Sequence, residues 1–138
     1  WHLSDEWYDS ARVHVDHALR LRPRDAGLHD LKGDIVHGTE DDAGAMASYR
    51  EALRLDPGHR GGHLGVAMVL REKEKWAEAL QHYDAVLKQT PRDRWVARQK
   101  AEMLRNLERP GDGVKALQAL VKADPTNDET HYQLADYL

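Results

Sequence analysis

The sequence feature that most constrains the fold is the even spacing of the prolines. Four of the five prolines lie 34 residues from one to the next, at Pro23, Pro57, Pro91 and Pro125. A proline cannot continue a helix and biases the residue before it towards extended backbone, so each one ends a segment at the same point of a recurring unit. A period of this length indicates a stacked array of repeats rather than a domain with one central core.

Other positions keep the same period. The residues four, eight and twelve before each proline are respectively apolar, large and small, and the residue 24 before the last three prolines, and before the place of the next one, is small. In chain order these positions hold Leu19, Leu53, Leu87 and Val121; Val15, Tyr49, Tyr83 and Leu117; Ala11, Ala45, Ala79 and Gly113; and Gly33, Ala67, Ala101 and Ala135. Because several positions recur in phase, we expect each unit to pack in the same way.

The charge of the chain is low but unevenly spread. Its net charge of −4 and its pI near 6.1 argue against a nucleic-acid partner or an anionic membrane surface for the chain as a whole. Residues 24–57 carry 4 basic and 8 acidic side chains, whereas residues 92–125 carry 8 basic and 5 acidic ones. We therefore expect an array that is acidic towards one end and basic towards the other.

The sequence contains no cysteine and no long apolar run. There is no cysteine, which excludes disulfides and thiolate metal sites and leaves the compartment open, with the cytoplasm favoured and the periplasm an alternative. No apolar run reaches the length of about 18 residues that a membrane helix needs, so no membrane insertion is expected.

Apolar residues recurring three or four positions apart predict eight amphipathic helices joined by short turns. The predicted helices cover about residues 4–21, 26–37, 41–55, 60–73, 76–87, 93–107, 111–123 and 128–138. Gly38 is placed at the end of the second helix, and Thr39 with Asp42 is interpreted as a capping box for the third. Two helices per unit form a hairpin that cannot bury its apolar stripe alone, so neighbouring hairpins must stack.

We therefore expect residues 1–138 to form a single all-α array, an α-α solenoid of about three full helix pairs with a half repeat at each end. In this division residues 1–25 hold the second helix of a truncated repeat, residues 26–59, 60–93 and 94–127 are full repeats, and residues 128–138 hold the first helix of another truncated repeat. The chain begins at Trp1 rather than methionine and ends within the pattern, so we expect it to be a segment of a longer protein.

The repeated pattern resembles the tetratricopeptide repeat (TPR) family. The segments that carry the resemblance are KGDIV (32–36), ASYREALRLDP (47–57) and AEALQHYDAVLKQTP (77–91). The family favours an aromatic residue near the start of each first helix, where this chain has His29, His63, Ala97 and His131. Three histidines in one repeat position predict a shared packing role.

The resemblance implies a right-handed superhelix whose first helices line a concave groove that binds an extended peptide, a helix or a neighbouring protein. Carried over to this chain, the groove positions include Asp30, Glu129 and Asp136 and a principal set of Asp34, His37, Leu64, Met68, Arg71, Trp95, Arg98, Glu102, Arg105 and Tyr132. Trp95, Arg98 and Arg105 stand out, because tryptophan, tyrosine and arginine dominate binding energy at interfaces. These residues predict a partner with an apolar anchor beside acidic residues. The alternative is that Trp95 packs on the preceding helix and the arginines form a solvated face.

No catalytic, metal or cofactor site is predicted. His14 with His17, and His59 with His63, have helical spacing, but two imidazoles without a third ligand make a poor zinc site. The segment GGHLG (61–65) lacks the preceding strand and the Gly-Lys-Ser/Thr ending of a phosphate loop. The Lys and Asn pattern with which some TPR proteins hold a C-terminal carboxylate is also missing, since Asn106 and Asn127 fall outside the required positions.

Four functions are compatible with these observations. The first is a protein-interaction scaffold that binds a peptide or partner protein in the groove, and the second is a substrate-recruiting arm of a larger enzyme, such as a glycosyl- or sulfotransferase. RNA binding by a related helical-pair array is disfavoured, because Asp30, Asp34, Glu102 and Asp136 would face the ligand. End-to-end self-association is the fourth, because both ends would expose an unpaired apolar helix face.

Overall fold

The computed structural model of the protein describes residues 4–137, which contain eight α-helices and no strand. The predicted all-α fold of helix pairs is confirmed. The helices are α1 (Ser4–Leu21), α2 (Ala26–Gly38), α3 (Asp42–Leu55), α4 (Arg60–Glu72), α5 (Trp76–Gln89), α6 (Arg94–Asn106), α7 (Pro110–Ala123) and α8 (Asp128–Tyr137). None of these helices combines the length and the apolar character needed to cross a bilayer.

The chain divides into two compact units, the first ending at Val69 and the second beginning at Leu70, within α4. In the first unit α2 packs against both α1 and α3. In the second unit α6 packs against α5 and α7, and α7 packs against α8. Each unit therefore contains helices that pack on their neighbours in sequence, as the repeat pattern predicts.

The periodic prolines act as helix stops. The helices α1, α3, α5 and α7 end at Leu21, Leu55, Gln89 and Ala123, each two residues before a proline.

The repeated histidines form hydrogen bonds with the carbonyl oxygens of three of these prolines. The Nε2 atoms of His29, His63 and His131 lie 2.9, 2.8 and 3.0 Å from the carbonyl oxygens of Pro23, Pro57 and Pro125. The three histidines were predicted to share a packing role, and what they share in the structure is a hydrogen bond to the turn. At the fourth position Ala97 is buried.

Each turn between the two helices of a hairpin has a glutamate with left-handed backbone. The φ angles of Glu40, Glu74 and Glu108, which are 34 residues apart, are 63°, 59° and 60°. The amide of each glutamate donates to the carbonyl three residues before, and the next amide donates to the carbonyl five residues before it, as in Glu40 to His37 and Asp41 to Val36. This is the Schellman motif, in which glycine usually occupies the left-handed position.

One of the two predictions about the turn after α2 is wrong. Helix α2 ends at Gly38, as predicted, and the left-handed residue of the turn is Glu40. Thr39 does not cap α3, since its Oγ1 donates to the Val36 carbonyl oxygen at 2.7 Å. Asp41 is the N-cap, and its Oδ1 accepts from the Gly44 amide at 2.9 Å.

The core of the first unit is built around Tyr49, which is fully buried. A Cβ atom added to Gly33 on α2 would come within 2.5 Å of Tyr49 Cε1, and a Cβ on Gly65 of α4 would also collide with this ring. Tyr49 Oη donates to Asp34 Oδ1 at 2.6 Å. The ring therefore fills the space left by two glycines, and its hydroxyl is hydrogen bonded.

Tyr83 takes the corresponding place in the second unit but lacks this hydrogen bond. Its side chain is fully buried, and among the residues that the structure describes its hydroxyl has no hydrogen-bond partner. The repeat position of Asp34 is occupied by Met68, which offers no carboxylate. A buried hydroxyl without a partner is destabilising, so the hydroxyl of Tyr83 lowers the stability of the fold, whereas the hydrogen-bonded hydroxyl of Tyr49 raises it.

Removing the two hydroxyl groups should therefore change stability differently. We expect Tyr49→Phe to lower the free energy of unfolding by roughly 1–2 kcal/mol, because the bond to Asp34 is lost. Tyr83→Phe should leave it unchanged or raise it by up to about 1 kcal/mol, because an unpaired buried hydroxyl is removed. Urea unfolding of the two variants measures both, and an equal loss in both would contradict the assignment.

The left-handed glutamates should also limit stability. Replacing Glu40, Glu74 or Glu108 with glycine removes the steric strain of a side chain in this conformation, and we expect each change to raise the free energy of unfolding by roughly 0.5–1 kcal/mol. Thermal or urea unfolding measures the gain. Glu78→Gly, at an exposed helical position, is the matched control and should lower stability by up to about 1 kcal/mol.

Candidate protein-binding site

The predicted site residues of the second unit lie mainly on one face of α6. Trp95, Arg98, Glu102 and Arg105 follow one another at spacings of three, four and three residues, which places them along one side of a helix. The Trp95 side chain is 51% exposed, and Arg98 and Arg105 are exposed as well. This face carries a large aromatic group and several charges.

A cavity of 290 Å³ lies beside this face. It brings together three of the predicted residues, and Trp95, Arg105 and Tyr132 are not in its lining. The lining residues are Arg71 from α4, Trp76 from α5, and Arg98, Gln99, Glu102, Met103 and Asn106 from α6. The cavity therefore has an apolar part, formed by Trp76 and Met103, and a polar part that contains two guanidinium groups and one carboxylate.

Arg71 is held in place within this cavity. Its Nη1 donates to Gln99 Oε1 at 2.7 Å, and its side chain is half-buried. The positive charge of Arg71 also acts on Tyr83. Burial raises the pKa of the Tyr83 hydroxyl above its usual value, and Arg71 partly opposes this rise. The guanidinium is thus fixed close to the buried core of the unit.

Trp95 rests on the preceding helix while remaining half exposed. Its ring meets the Tyr83 ring of α5 edge to face, with centroids 6.3 Å apart and an angle of 76° between the planes. This is a favourable aromatic geometry that stabilises the observed orientation of the indole. Trp95 therefore both packs on the preceding helix and keeps part of its ring exposed to a partner.

The predicted residues of the first unit form a different surface. Asp34 accepts the hydrogen bond from Tyr49, and His37 Nε2 lies 3.9 Å from Asp42 Oδ1. Leu64 and Met68 are half-buried on α4. Asp34 is therefore already engaged in a hydrogen bond within the unit, and His37 lies beside a carboxylate.

Asp30, another predicted groove residue, is engaged at the start of α4. At the positions that begin α2, α6 and α8, the chain has Asp25, Asp93 and Asn127, whose side chains accept backbone amides. The corresponding residue before α4 is His59, which accepts no amide there but has its Nε2 3.2 Å from Asp30 Oδ2. The Asp30 carboxylate lies against Gly61, in the first turn of α4.

The environment of Asp30 perturbs its ionisation. Burial raises the pKa of the Asp30 carboxyl, with a smaller opposing effect of the hydrogen bond from His59. A carboxylate at the first turn of a helix is stabilised by the helix dipole. Asp30 therefore lies beside the first turn of α4, where the cost of burial outweighs the interactions that favour its charged form.

Four cavity residues are not among the predicted site residues. They are Trp76 on α5 and Gln99, Met103 and Asn106 on α6. Relative to Gln99, the residues Glu102, Met103 and Asn106 lie three, four and seven positions further on, which is the spacing of one helix face and identifies the α6 residues of the lining. Asn106 thus lines the cavity although it falls outside the positions of the carboxylate-binding pattern.

A second cavity, of 330 Å³, lies between α1 and α2 in the first unit and is almost entirely apolar. Its lining residues are Trp7, Ala11, His14, Val15, Ala18, Leu28, Leu31 and Ile35. End-to-end association would seat α8 of another copy here, but both helices are acidic. Helix α1 contains Asp5, Glu6, Asp9 and Asp16, and α8 contains Asp128, Glu129 and Asp136. Self-association stays a prediction that the local charges do not favour.

The comparisons with known proteins agree with the repeat pattern. A family model described as tetratricopeptide repeat matches residues 5–60 and 64–128. None of the curated proteins matches the chain.

Several solved structures are similar to the whole fold. MamA 41-end from Desulfovibrio magneticus RS-1 has 21% identity and a TM-score of 0.76, with 94% of this chain and 73% of that chain covered. YrrB has 22% identity and a TM-score of 0.75, with coverage of 90% and 64%. A chain of Naa15/Naa10 bound to HypK-THB has 20% identity and a TM-score of 0.78, with coverage of 94% and 20%. At these identities the similarity shows the fold.

Proposed function

The chain belongs to the tetratricopeptide repeat family, and on this premise we propose that it is a non-catalytic interaction module that binds a partner protein or peptide. The proposed contact surface in the second unit is the exposed face of α6 with Trp95, Arg98 and Arg105, the neighbouring cavity with Arg71 and Glu102, and Tyr132 on α8. In the first unit we propose a separate surface with Asp34, His37, Leu64 and Met68.

The observation that carries the proposal is a large aromatic ring that is both exposed and fixed. Trp95 remains 51% exposed although its ring is oriented by Tyr83. An aromatic anchor that is already ordered loses little conformational entropy when a partner covers it. Tyr132, which is 74% exposed, is a second aromatic side chain available to a partner.

Polar groups beside the anchor support the same function. Arg71 is already oriented by Gln99, and arginine is one of the residue types that dominate binding energy. The cavity of 290 Å³ is too small to enclose a cofactor of the usual size but can accept one or two side chains of a peptide. This combination favours recognition of a polypeptide.

The similar structures provide further support by analogy. YrrB is described as a TPR protein with an unusual peptide-binding site, and the Naa15/Naa10 structure contains bound HypK-THB. Proteins with this fold therefore bind peptides and protein segments. The proposal for this chain rests on its own exposed residues together with that analogy.

Selection from a random peptide library displayed on phage tests the proposal. We expect the protein to enrich a set of related peptides that bind it saturably. Trp95→Ala and Arg98→Ala should each weaken the enriched peptides roughly tenfold or more, because each removes a contact of the kind that dominates interfaces.

A matched control is Gln118→Ala, an exposed position on α7 outside the proposed surface, which should leave affinity unchanged. Circular dichroism should show equal helicity in all variants. The proposal fails if no peptides are enriched, or if both α6 variants bind with wild-type affinity.

A further inference from the structure

The cavity beside α6 carries more positive than negative charge. Its lining contains the guanidinium groups of Arg71 and Arg98 and only one carboxylate, that of Glu102. This excess agrees with the composition of residues 92–125, where basic side chains outnumber acidic ones by 8 to 5. The excess charge is concentrated in a recess and is therefore less exposed to screening than charge on an open surface.

The two arginines differ in their readiness to bind. Arg71 uses one nitrogen on Gln99, which fixes its orientation and leaves its other donors available. Within residues 4–137, no acidic group lies within ion-pair distance of Arg98, which is exposed. An unpaired guanidinium next to an oriented one is suited to a carboxylate, which can accept hydrogen bonds from both.

The remaining lining residues define what would accompany that carboxylate. The half-buried Trp76 provides an apolar contact, with the buried Met103 also in the lining, and the amide of Asn106 can donate or accept a hydrogen bond. Glu102 lies in the same lining and would repel a second negative group. The cavity is therefore suited to one acidic side chain with an apolar neighbour.

We infer that the cavity is the specificity element of the proposed binding surface and selects partner segments in which an aspartate or glutamate lies next to an apolar residue. The carboxylate contacts Arg71 and Arg98, and the apolar side chain contacts Trp76. The inference rests on the proposed function and adds the chemical class of the partner.

The composition of the selected peptides separates the two proposals. If the library yields peptides enriched in acidic residues next to apolar ones, both are supported. If it yields peptides without acidic enrichment, the interaction function stands and the charge preference is wrong.

A direct measurement uses two short fluorescein-labelled peptides with leucine at the same positions and either glutamate or lysine at every charged position. Fluorescence anisotropy should detect binding of the glutamate peptide and none of the lysine peptide. Arg98→Gln should weaken the glutamate peptide roughly tenfold, because a charge-assisted hydrogen bond is lost. Glu102→Gln should strengthen it by up to about fivefold, because a like charge is removed.

Arg92→Gln is the control for net charge, because Arg92 is exposed in the turn before α6 and lies outside the cavity. It should change affinity by less than about twofold at physiological ionic strength. Equal effects of Arg92→Gln and Arg98→Gln would show that overall charge rather than the cavity drives binding, and would overturn the inference. Preferential binding of the lysine peptide, or binding of neither peptide, would overturn it as well.

Discussion

The close packing of the Tyr49 ring against the backbone of the two neighbouring helices is the interaction on which the rest of the first unit depends. Tyr49 occupies the space that a Cβ atom would take at Gly33 and Gly65, so α2 and α4 can both approach α3 closely. At such short distances small changes of side-chain volume are strongly felt. This explains why positions 33 and 65 both hold glycine.

Much of the fold could be predicted because its signals are local and recur. Prolines cannot continue a helix, so the ends of α1, α3, α5 and α7 followed directly from the sequence. The start of α3 was mispredicted because Thr39, followed three residues later by Asp42, matched the pattern of a capping box. In the structure the Thr39 hydroxyl donates back to the Val36 carbonyl oxygen, and Asp41 caps α3.

The site was less predictable, because residues at the same repeat position make different contacts in different helices. Asp30, Leu64, Arg98 and Tyr132 are equivalent in the sequence pattern. Asp30 lies at the start of α4 and bonds to His59, whereas Arg98 has no acidic partner in the described part of the chain. The identity of a residue shows its chemistry, but only the fold shows which groups are already engaged and which remain available to a partner.

The packing of Tyr49 against glycines also limits how such an array could grow by tandem duplication. Gly33 and Asp34 belong to the same block, residues 26–59, as the tyrosine that they contact, but Gly65 belongs to the next. A second copy of that block inserted directly after the first would place Leu31 where Gly65 now lies, and the leucine side chain would collide with the ring. The blocks are thus interlocked, and lengthening this protein by copying requires a compensating change across the junction.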